Sequence, residues 1–252
     1  MKNILIGTKT ILSWRDSLKQ IQQPHIIIIN FHDSVMLEET LSTREIDYIV
    51  PLSHRDYNVI KHVPIKILYP TMEIYNLLDN NVLFTRFMLE NFRSYVPEIY
   101  YLDRVKLKEL VFPVISKPIH SKGGSHMNIY HTEKDFATCT NKYIVQQFIK
   151  ELYEYSAFLL CIDGIIVNWK VIRYKYPEYT IKKDNFPVDY EDISNINLEV
   201  FMKIVKKLDY SGGMCIDFKM NKKNRIKIFE INPRFGGSAF TNNFIYELLC
   251  VK

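Results

Sequence analysis

Apolar residues form short continuous runs in the first part of the chain. Residues 2–6, 25–29 and 47–51 each contain such a run, and each segment has the length of a buried strand. Between the first two runs, Leu12 and Leu18 stand among polar residues in a pattern that favours a helix. A strand, a helix and a strand within about thirty residues predict a small parallel α/β layer.

This first layer lacks the glycine pattern of a dinucleotide-binding site. Such a site needs G-x-G-x-x-G directly after the first strand. Here Gly7 is followed by Thr8, Lys9 and Thr10. We therefore interpret Gly7 as a turn at the end of a strand and do not expect a Rossmann cofactor site.

The spacing of apolar positions changes along the rest of the chain. Residues 71–91 carry an apolar stripe at helical spacing, and a second helix is predicted over 198–208. Asp163-Gly164 is a strong hairpin signal. The polar stretch 174–197 is long for a loop, which is typical of a lid or binding loop. The predicted strands of this part are 111–115, 143–149, 155–162, 165–174, 214–220 and 225–231.

The composition excludes several classes of protein. The 252 residues are 47% hydrophobic and 24% charged, which fits a globular chain and not a disordered or fibrous one. The longest aliphatic run, 26–29, is far shorter than the roughly 20 residues of a membrane span. The first residues lack the features of a signal peptide, so we expect a soluble, cytoplasmic protein.

Charge and cysteine content add two expectations. The net charge of +5 is modest, and the basic pairs 182–183, 206–207 and 222–223 are far apart, so we expect no nucleic-acid partner. The four cysteines include no C-x-x-C pair. This favours reduced thiols over a zinc site.

Two acidic residues lie on neighbouring predicted strands. Because side chains alternate between the faces of a strand, Glu230 and Asn232 share a face that Phe229 does not. A hairpin loop over Lys222–Arg225 places Asp217 opposite Glu230, about 5 Å apart at Cβ. Two bare carboxylates repel each other, and a hard cation relieves the repulsion. The pattern indicates Mg²⁺ (or Mn²⁺) bound with a nucleotide, and a solvent-facing hairpin is the alternative.

Basic and glycine-rich segments near these carboxylates suit phosphate groups. Arg234 follows directly, and a fixed guanidinium there can stabilise a transferring phosphoryl group. Lys117 ends a predicted strand, and the loop after it offers backbone donors for phosphates. The candidate residues of this loop are Ser121, Gly123, Gly124 and Ser125. A Walker A loop is absent, and ordinary turns are the alternative.

The next segment suits the base and sugar of a nucleotide. The backbone edge of Gln147, Phe148 and Ile149 can face adenine, and Glu154 can hold ribose hydroxyls. A plain strand followed by a turn is the alternative.

The acceptor side offers one candidate catalytic residue. Lys170 and Arg173 lie on opposite faces of the predicted strand, and Arg173 shares its face with Trp169 and Val171. We expect Arg173 to face the site, and a surface arginine is the alternative.

Taken in this order, the segments resemble the ATP-grasp superfamily over residues 75–252. The most specific piece is Phe229–Arg234, with Asp217 thirteen residues before Glu230. It looks most similar to the carbamoyl-phosphate-synthetase-like branch of carboxylate–amine ligases.

The resemblance implies an α+β fold in which two α+β subdomains clasp ATP. The flap subdomain would cover about 111–149 and the metal-binding subdomain about 150–252. Residues 1–74 would form a small Rossmann-like parallel α/β domain before them.

The resemblance also implies roles for the candidate residues. Asp217, Glu230 and Asn232 would be the Mg²⁺ ligands, Arg234 would face the γ-phosphate, and Lys117 would contact the nucleotide phosphates. The glycine-rich loop would be the flap. One departure is Asn80, which stands where the family has a cation; another is Gln147, which stands where Glu is common.

The implied activity is ATP-dependent ligation. A carboxylate is activated as an acyl phosphate, an amine displaces the phosphate, and ADP is released. The expected partners are a small-molecule carboxylate and an amine, with no nucleic acid and no membrane, and a homodimer is allowed. A kinase on the same scaffold and a nucleotide-binding module without turnover are the alternatives.

Overall fold

Three sheets organise the computed structural model. It describes residues 3–7, 25–29, 31–101, 107–119, 126–137, 139, 143–179, 187–193, 195–237, 239 and 244–249. The predicted α+β architecture with a small parallel sheet at its start is confirmed.

The first sheet is parallel and has the order β2-β1-β3. Its strands are β1 (Ile4–Gly7), β2 (Ile26–Ile29) and β3 (Tyr48–Val50), and the helices α1 (Ser34–Thr43) and α2 (His54–Ile60) belong to the same layer. Ile4 and Ile6 pack toward the large sheet, whereas Leu5 packs with α1 and α2, so both faces are buried. The helix predicted around Leu12 and Leu18 lies outside the described residues.

The region 71–91, predicted to be helical, forms two helices with a break between them. These are α3 (Met72–Asp79) and α4 (Asn81–Phe92), which a 3₁₀ turn (Arg93–Tyr95) follows. Asn80 between them has an extended backbone, and its Oδ1 accepts hydrogen bonds from the N–H groups of Val82 and Leu83 at 2.9 and 3.2 Å. The apolar stripe continues across this N-cap, so periodicity alone does not show the break.

The second sheet is antiparallel and has the order β4-β7-β5-β6. It has its own apolar cluster of buried residues, which are Tyr100, Leu110, Val114, Phe136 and Val145. Its strands are β4 (Ile99–Tyr100), β5 (Val114–Pro118), β6 (Asn128–Tyr130) and β7 (Tyr143–Gln147); a 3₁₀ turn (Leu107–Glu109) and the short helix α5 (Glu133–Phe136) lie along the connections.

The third sheet is antiparallel and has the order β10-β9-β8-β11-β12. Its strands are β8 (Tyr153–Ile162), β9 (Ile165–Lys175), β10 (Asp189–Asp192), β11 (Gly212–Met220) and β12 (Ile226–Asn232), with helices α6 (Glu199–Leu208) and α7 (Phe244–Leu249). The predicted Asp163-Gly164 turn connects β8 to β9, and both residues have positive φ.

The stretch 174–197, predicted as a loop, contains the edge strand β10. All four residues of β10 are exposed, and they read Asp-Tyr-Glu-Asp. The strand therefore has no apolar alternation, and it forms because its backbone pairs with Ile172–Lys175 of β9.

The two faces of the third sheet have separate environments. One face carries Phe218 and Ile231, which pack with α4 and with Phe201 of α6. The other face carries Phe158 and Cys215 and packs against the first sheet and α7. Among the described helices, none is long and apolar enough to cross a membrane.

Candidate nucleotide and metal site

The paired strands β11 and β12 bring the predicted carboxylates together. Asp217 is directly opposite Glu230, and Cys215 is opposite Asn232. The predicted pairing is correct, but the predicted loop is wrong. Met220 already pairs with Ile226, so the turn is one residue longer and its first N–H, that of Asn221, donates to Arg225 O at 3.0 Å.

A β-bulge at Phe229 restores the pairing that the longer turn displaces. Phe218 pairs with Ile228, whereas Asp217 pairs with Glu230, so Phe229 has no partner on β11. The bulge also changes the face of Phe229, which simple alternation would place with Ile231. Phe229 does not share the core face with Ile231; its ring centroid lies 5.1 Å from the ammonium of Lys117.

Lys117 reaches this bulge from the second sheet. Its side chain is 4% exposed, and its Nζ donates to Phe229 O at 2.8 Å. Burial lowers the pKa of Lys117 to about 8, while the charges of Glu230, Glu154 and Asp217 act in the opposite direction. The charges of three carboxylates therefore act on one buried ammonium.

The donor set fits a hard divalent cation. Asp217 is buried and accepts a hydrogen bond from Ser156 Oγ, and Asn232 Nδ2 donates to Glu230 Oε1 at 3.1 Å. The described residues hold no cluster of three His, Cys, Asp or Glu side chains suited to a metal. Two carboxylates and an amide oxygen match Mg²⁺, which takes its remaining ligands from phosphates and water.

A cavity of about 430 Å³ lies between the second and third sheets. Its volume is that of a small-molecule site. Gln147, Phe148 and Ile149 line it, and the N–H groups of Gln147 and Phe148 donate to Glu98 O and Pro113 O. The carboxylate that lines the cavity is that of Glu151, and Glu154 lies beside Lys117 instead.

Lys219 is a site residue to which the sequence assigned no role. It is buried, its Nζ donates to Glu151 O at 3.1 Å, and it lies 5.0 Å from the ring centroid of Phe148. Simple alternation from Asp217 predicts its face. Its contacts with Glu151 and Phe148, two residues that line the cavity, depend on the segment after β7, which no local pattern shows.

Arg173 is not brought to this site. On β9 it is opposite Tyr155, whose ring stacks on Phe218 in the core. Ile172, not Arg173, is opposite Ser156, which binds Asp217. The guanidinium pairs with Glu191 and covers the ring of Tyr153.

Arg234 lies at the exit of β12, between the carboxylates and the first layer. It is half-buried, and in the described part of the chain it has no ion-pair or hydrogen-bond partner. Burial raises the pKa of the Tyr69 and Tyr75 hydroxyls, and the charge of Arg234 opposes that rise. The predicted flap residues Ser121, Gly123, Gly124 and Ser125 lie outside the described residues.

Two sheets that meet over a cavity, with a lysine and paired carboxylates between them, define a phosphate- and metal-binding clasp. A family model for the ATP-grasp domain matches residues 80–238, more than half of the chain. The chain belongs to the ATP-grasp family, which confirms the predicted family.

Two curated relatives and one solved structure extend this comparison. The uncharacterized protein MG011 homolog of Mycoplasma pneumoniae is 30% identical over 152 residues, which are 55% of this chain and 49% of that protein. The carbamoyl phosphate synthase large chain of Methanobrevibacter smithii is 20% identical over 206 residues, which are 69% of this chain and 18% of that one. The chain thus spans about half the length of the first relative and under a fifth of the second.

The structural comparison shows the fold. Biotin carboxylase of Campylobacter jejuni, solved as a β,γ-ATP complex, has a TM-score of 0.61 and 17% identity. The similarity covers 97% of this chain and 68% of that chain.

Proposed function

We propose that the protein is an ATP-dependent ligase that activates a carboxylate as an acyl phosphate and joins it to an amine. The observation that carries the proposal is the buried ammonium of Lys117 among Asp217, Glu230 and Glu154. Such a centre can neutralise transferring phosphate and hold a metal at the same time. The ATP complex of the similar biotin carboxylase supports a nucleotide in the same clasp.

In this proposal the nucleotide lies between the second and third sheets. Adenine occupies the cavity against Gln147, Phe148 and Ile149. Glu151, and not the predicted Glu154, holds the ribose hydroxyls, because Glu151 lines the cavity. The phosphates extend toward Lys117, and Ser121–Ser125, which lie outside the described residues, stay the predicted flap.

Asp217, Glu230 and the amide oxygen of Asn232 would hold Mg²⁺, for which Mn²⁺ could substitute. Bound there, the cation neutralises charge on the nucleotide phosphates. Ser156 Oγ donates to one oxygen of Asp217, and Asn232 Nδ2 donates to Glu230 Oε1, and both contacts orient the carboxylates.

The chemistry requires two displacements in sequence. An oxygen of the substrate carboxylate attacks the γ-phosphorus, the bond to the bridging oxygen of ADP breaks, and the acyl phosphate forms. The amine then attacks the acyl carbon, loses a proton, and phosphate leaves. Arg234 stabilises the transferring phosphoryl group, since its guanidinium is the nearby cation without an anionic partner in the described residues. Arg173 has no part in this proposal because of its position in the sheet.

The test is ADP release from Mg-ATP with pooled amino acids, small carboxylates and amines. Glu230→Gln serves as the blank, and Glu38→Gln, an exposed change on α1, serves as the matched control. Acceptor-dependent ADP in the wild type and in the control, but not in the blank, supports the ligase. Mass spectrometry then separates an amide from a phosphate ester. ADP release that Glu230→Gln leaves intact contradicts the proposal.

A nucleotide-binding module without turnover is the second candidate. One observation favours it: Asn80, where the family has a cation, is occupied as the N-cap of α4. This candidate predicts Mg-ATP binding with no ADP release for any pool, so the same experiment distinguishes the two.

A further inference from the structure

Four aromatic rings form a cluster where the first layer meets the helix α3. His54 and Tyr57 come from α2, Tyr75 comes from α3, and Tyr69 lies between these helices in sequence. The ring centroids of Tyr57 and Tyr69 are 4.7 Å apart, those of His54 and Tyr75 are 5.4 Å apart, and those of Tyr69 and Tyr75 are 5.9 Å apart. We call these four residues the tyrosine cluster.

Within the described part of the chain, two polar atoms of the tyrosine cluster are buried without a hydrogen-bond partner. They are the hydroxyl of Tyr69, a residue that is 8% exposed, and Nδ1 of His54. The Nε2 atom of His54 lies 3.0 Å from Asn58 Nδ2. An amide nitrogen only donates, so Nε2 accepts and the ring proton lies on Nδ1. The cluster therefore contains two buried donors that lack an acceptor.

An unsatisfied buried donor reduces stability, and native proteins rarely keep one without a reason. A purely structural ring at position 69 would be served better by Phe. A ligand that accepts a hydrogen bond from the Tyr69 hydroxyl would explain why a tyrosine is present at this position.

The backbone holds Tyr69 and Arg234 at the same end of the large sheet. Gly212, at the start of β11, has φ +126°, and a Cβ there would lie 3.0 Å from Leu68 O and 3.1 Å from Tyr69 Cα. At the next residue, Gly213, a Cβ would lie 2.7 Å from the ring of Phe235, which follows Arg234. Both close approaches depend on glycine.

Arg234 supplies a positive charge near Tyr69 and Tyr75, and the carboxylates of Asp79 and Asp56 act on the Tyr69 hydroxyl with the opposite sign. Arg234 has no ion-pair partner in the described residues. A guanidinium beside a phenolic O–H and an imidazole N–H complements the two oxygens of a carboxylate.

We propose that the tyrosine cluster is a wall of the acceptor-substrate pocket, where the Tyr69 hydroxyl and His54 Nδ1–H bind the substrate's carboxylate beside Arg234. The inference rests on the proposed function, since it identifies the residues that hold the carboxylate to be activated. Tyr69 and His54 are positioning residues for that group.

The test compares Tyr69→Phe with Tyr57→Phe, which removes a different hydroxyl from the same stack. Binding is measured by calorimetry with a non-hydrolysable Mg-ATP analogue present. The probes are acid and amide pairs: acetate and acetamide, benzoate and benzamide, L-alanine and L-alaninamide. Thermal unfolding of the free variants is measured in parallel.

The expected result has two parts of opposite sign. Tyr69→Phe weakens binding of the acid probes about tenfold or more, because a hydrogen bond to a charged group is lost. It also raises Tm of the free protein by about 2 °C or more, because a buried unsatisfied hydroxyl is removed. Tyr57→Phe does neither, and the amide probes do not bind.

Three results would overturn the inference: equal acid binding by Tyr69→Phe and wild type, no acid binding by the wild type, or equal binding of acids and amides. Failure of the proposed function looks different. In that case the acids bind and respond to Tyr69→Phe, but no acceptor pool releases ADP.

Discussion

The ammonium of Lys117 donates a hydrogen bond to the carbonyl oxygen of Phe229, the residue that bulges out of β12. The bulge has two effects at once. It keeps Asp217 opposite Glu230 despite the longer turn, and it turns Phe229 toward a lysine from another sheet. The proposed metal ligands Asp217 and Glu230 and the proposed phosphate-binding Lys117 are thus positioned by one local irregularity.

The pH dependence of nucleotide binding follows from Lys117. Its pKa is about 8, so the ammonium is charged at neutral pH and is lost as the pH rises through that value. We expect the affinity for Mg-ATP to fall above about pH 8, well before an ordinary lysine would titrate. The measurement is Mg-ATP affinity from neutral to alkaline pH, with Lys117→Arg as the control that keeps its charge. Equal pH profiles for the two proteins would contradict the assignment.

The same shift affects stability in the opposite direction. The pKa of Lys117 is lower in the folded protein than in the unfolded chain, so the unfolded chain binds more protons between about pH 8 and 10.4. The contribution of this group to stability therefore rises with pH over that window, because the cost of a buried charge is removed. Lys117→Met abolishes this rise, and denaturant unfolding at several pH values measures it.

Glu230→Gln tests the metal site apart from catalysis. The change removes one anionic ligand but keeps the size of the side chain. We expect the gain in ATP affinity that Mg²⁺ produces to fall at least about tenfold. ATP affinity without Mg²⁺ does not fall, since a carboxylate near the phosphates is removed. Glu38→Gln should behave as wild type, and an unchanged Mg-ATP affinity of Glu230→Gln would reject Glu230 as a ligand.

Lys219→Met tests the adenine end of the clasp. The variant keeps the aliphatic stem but loses the hydrogen bond to Glu151 O, which holds the segment that lines the cavity. We expect affinities for AMP, ADP and ATP to fall by one common factor, about threefold to tenfold. Lys117→Met is the matched comparison, and it should weaken ATP far more than AMP. If Lys219→Met weakened ATP alone, Lys219 would belong to the phosphate site.

Asn80→Ala tests whether the departure from the family has a structural cause. The change removes an N-cap with two hydrogen bonds, so we expect the free energy of unfolding to fall by about 1 kcal/mol. Asn80→Ser keeps a capping oxygen and should recover most of the loss. Urea unfolding of both variants measures the difference, and equal stability of Asn80→Ala and wild type would mean that the cap does not contribute.

Local patterns predicted four of the five strands of the third sheet and one pairing of the candidate site. Alternation and turn chemistry placed Asp217 opposite Glu230, because strand pairing depends on nearby residues. The same alternation gave the wrong face for Arg173, because it divides the residues of a strand between two faces and does not show which face meets the site. Only the pairing of β8 with both β9 and β11 decides that Ile172 faces the same side as Ser156.

Features that depend on distant parts of the chain were not predictable. The strand Asp189–Asp192 has no apolar signature and forms by backbone pairing with β9. The break at Asn80 is local, because its side chain caps α4, but the apolar stripe continues across it. The place of Glu154 beside Lys117, rather than at the cavity, depends on how two sheets meet. No spacing in the sequence records that approach.

Lys117 of the second sheet ends on a carbonyl oxygen of the third sheet, and Lys219 of the third sheet ends on that of Glu151, in the segment that connects the two sheets. The second sheet also keeps an apolar cluster separate from those of the third sheet. A rotation of one sheet away from the other would therefore break a few polar contacts while each core stayed intact. Entry and exit of a nucleotide can then be controlled by buried cations, and the hydrophobic effect opposes the opening only weakly.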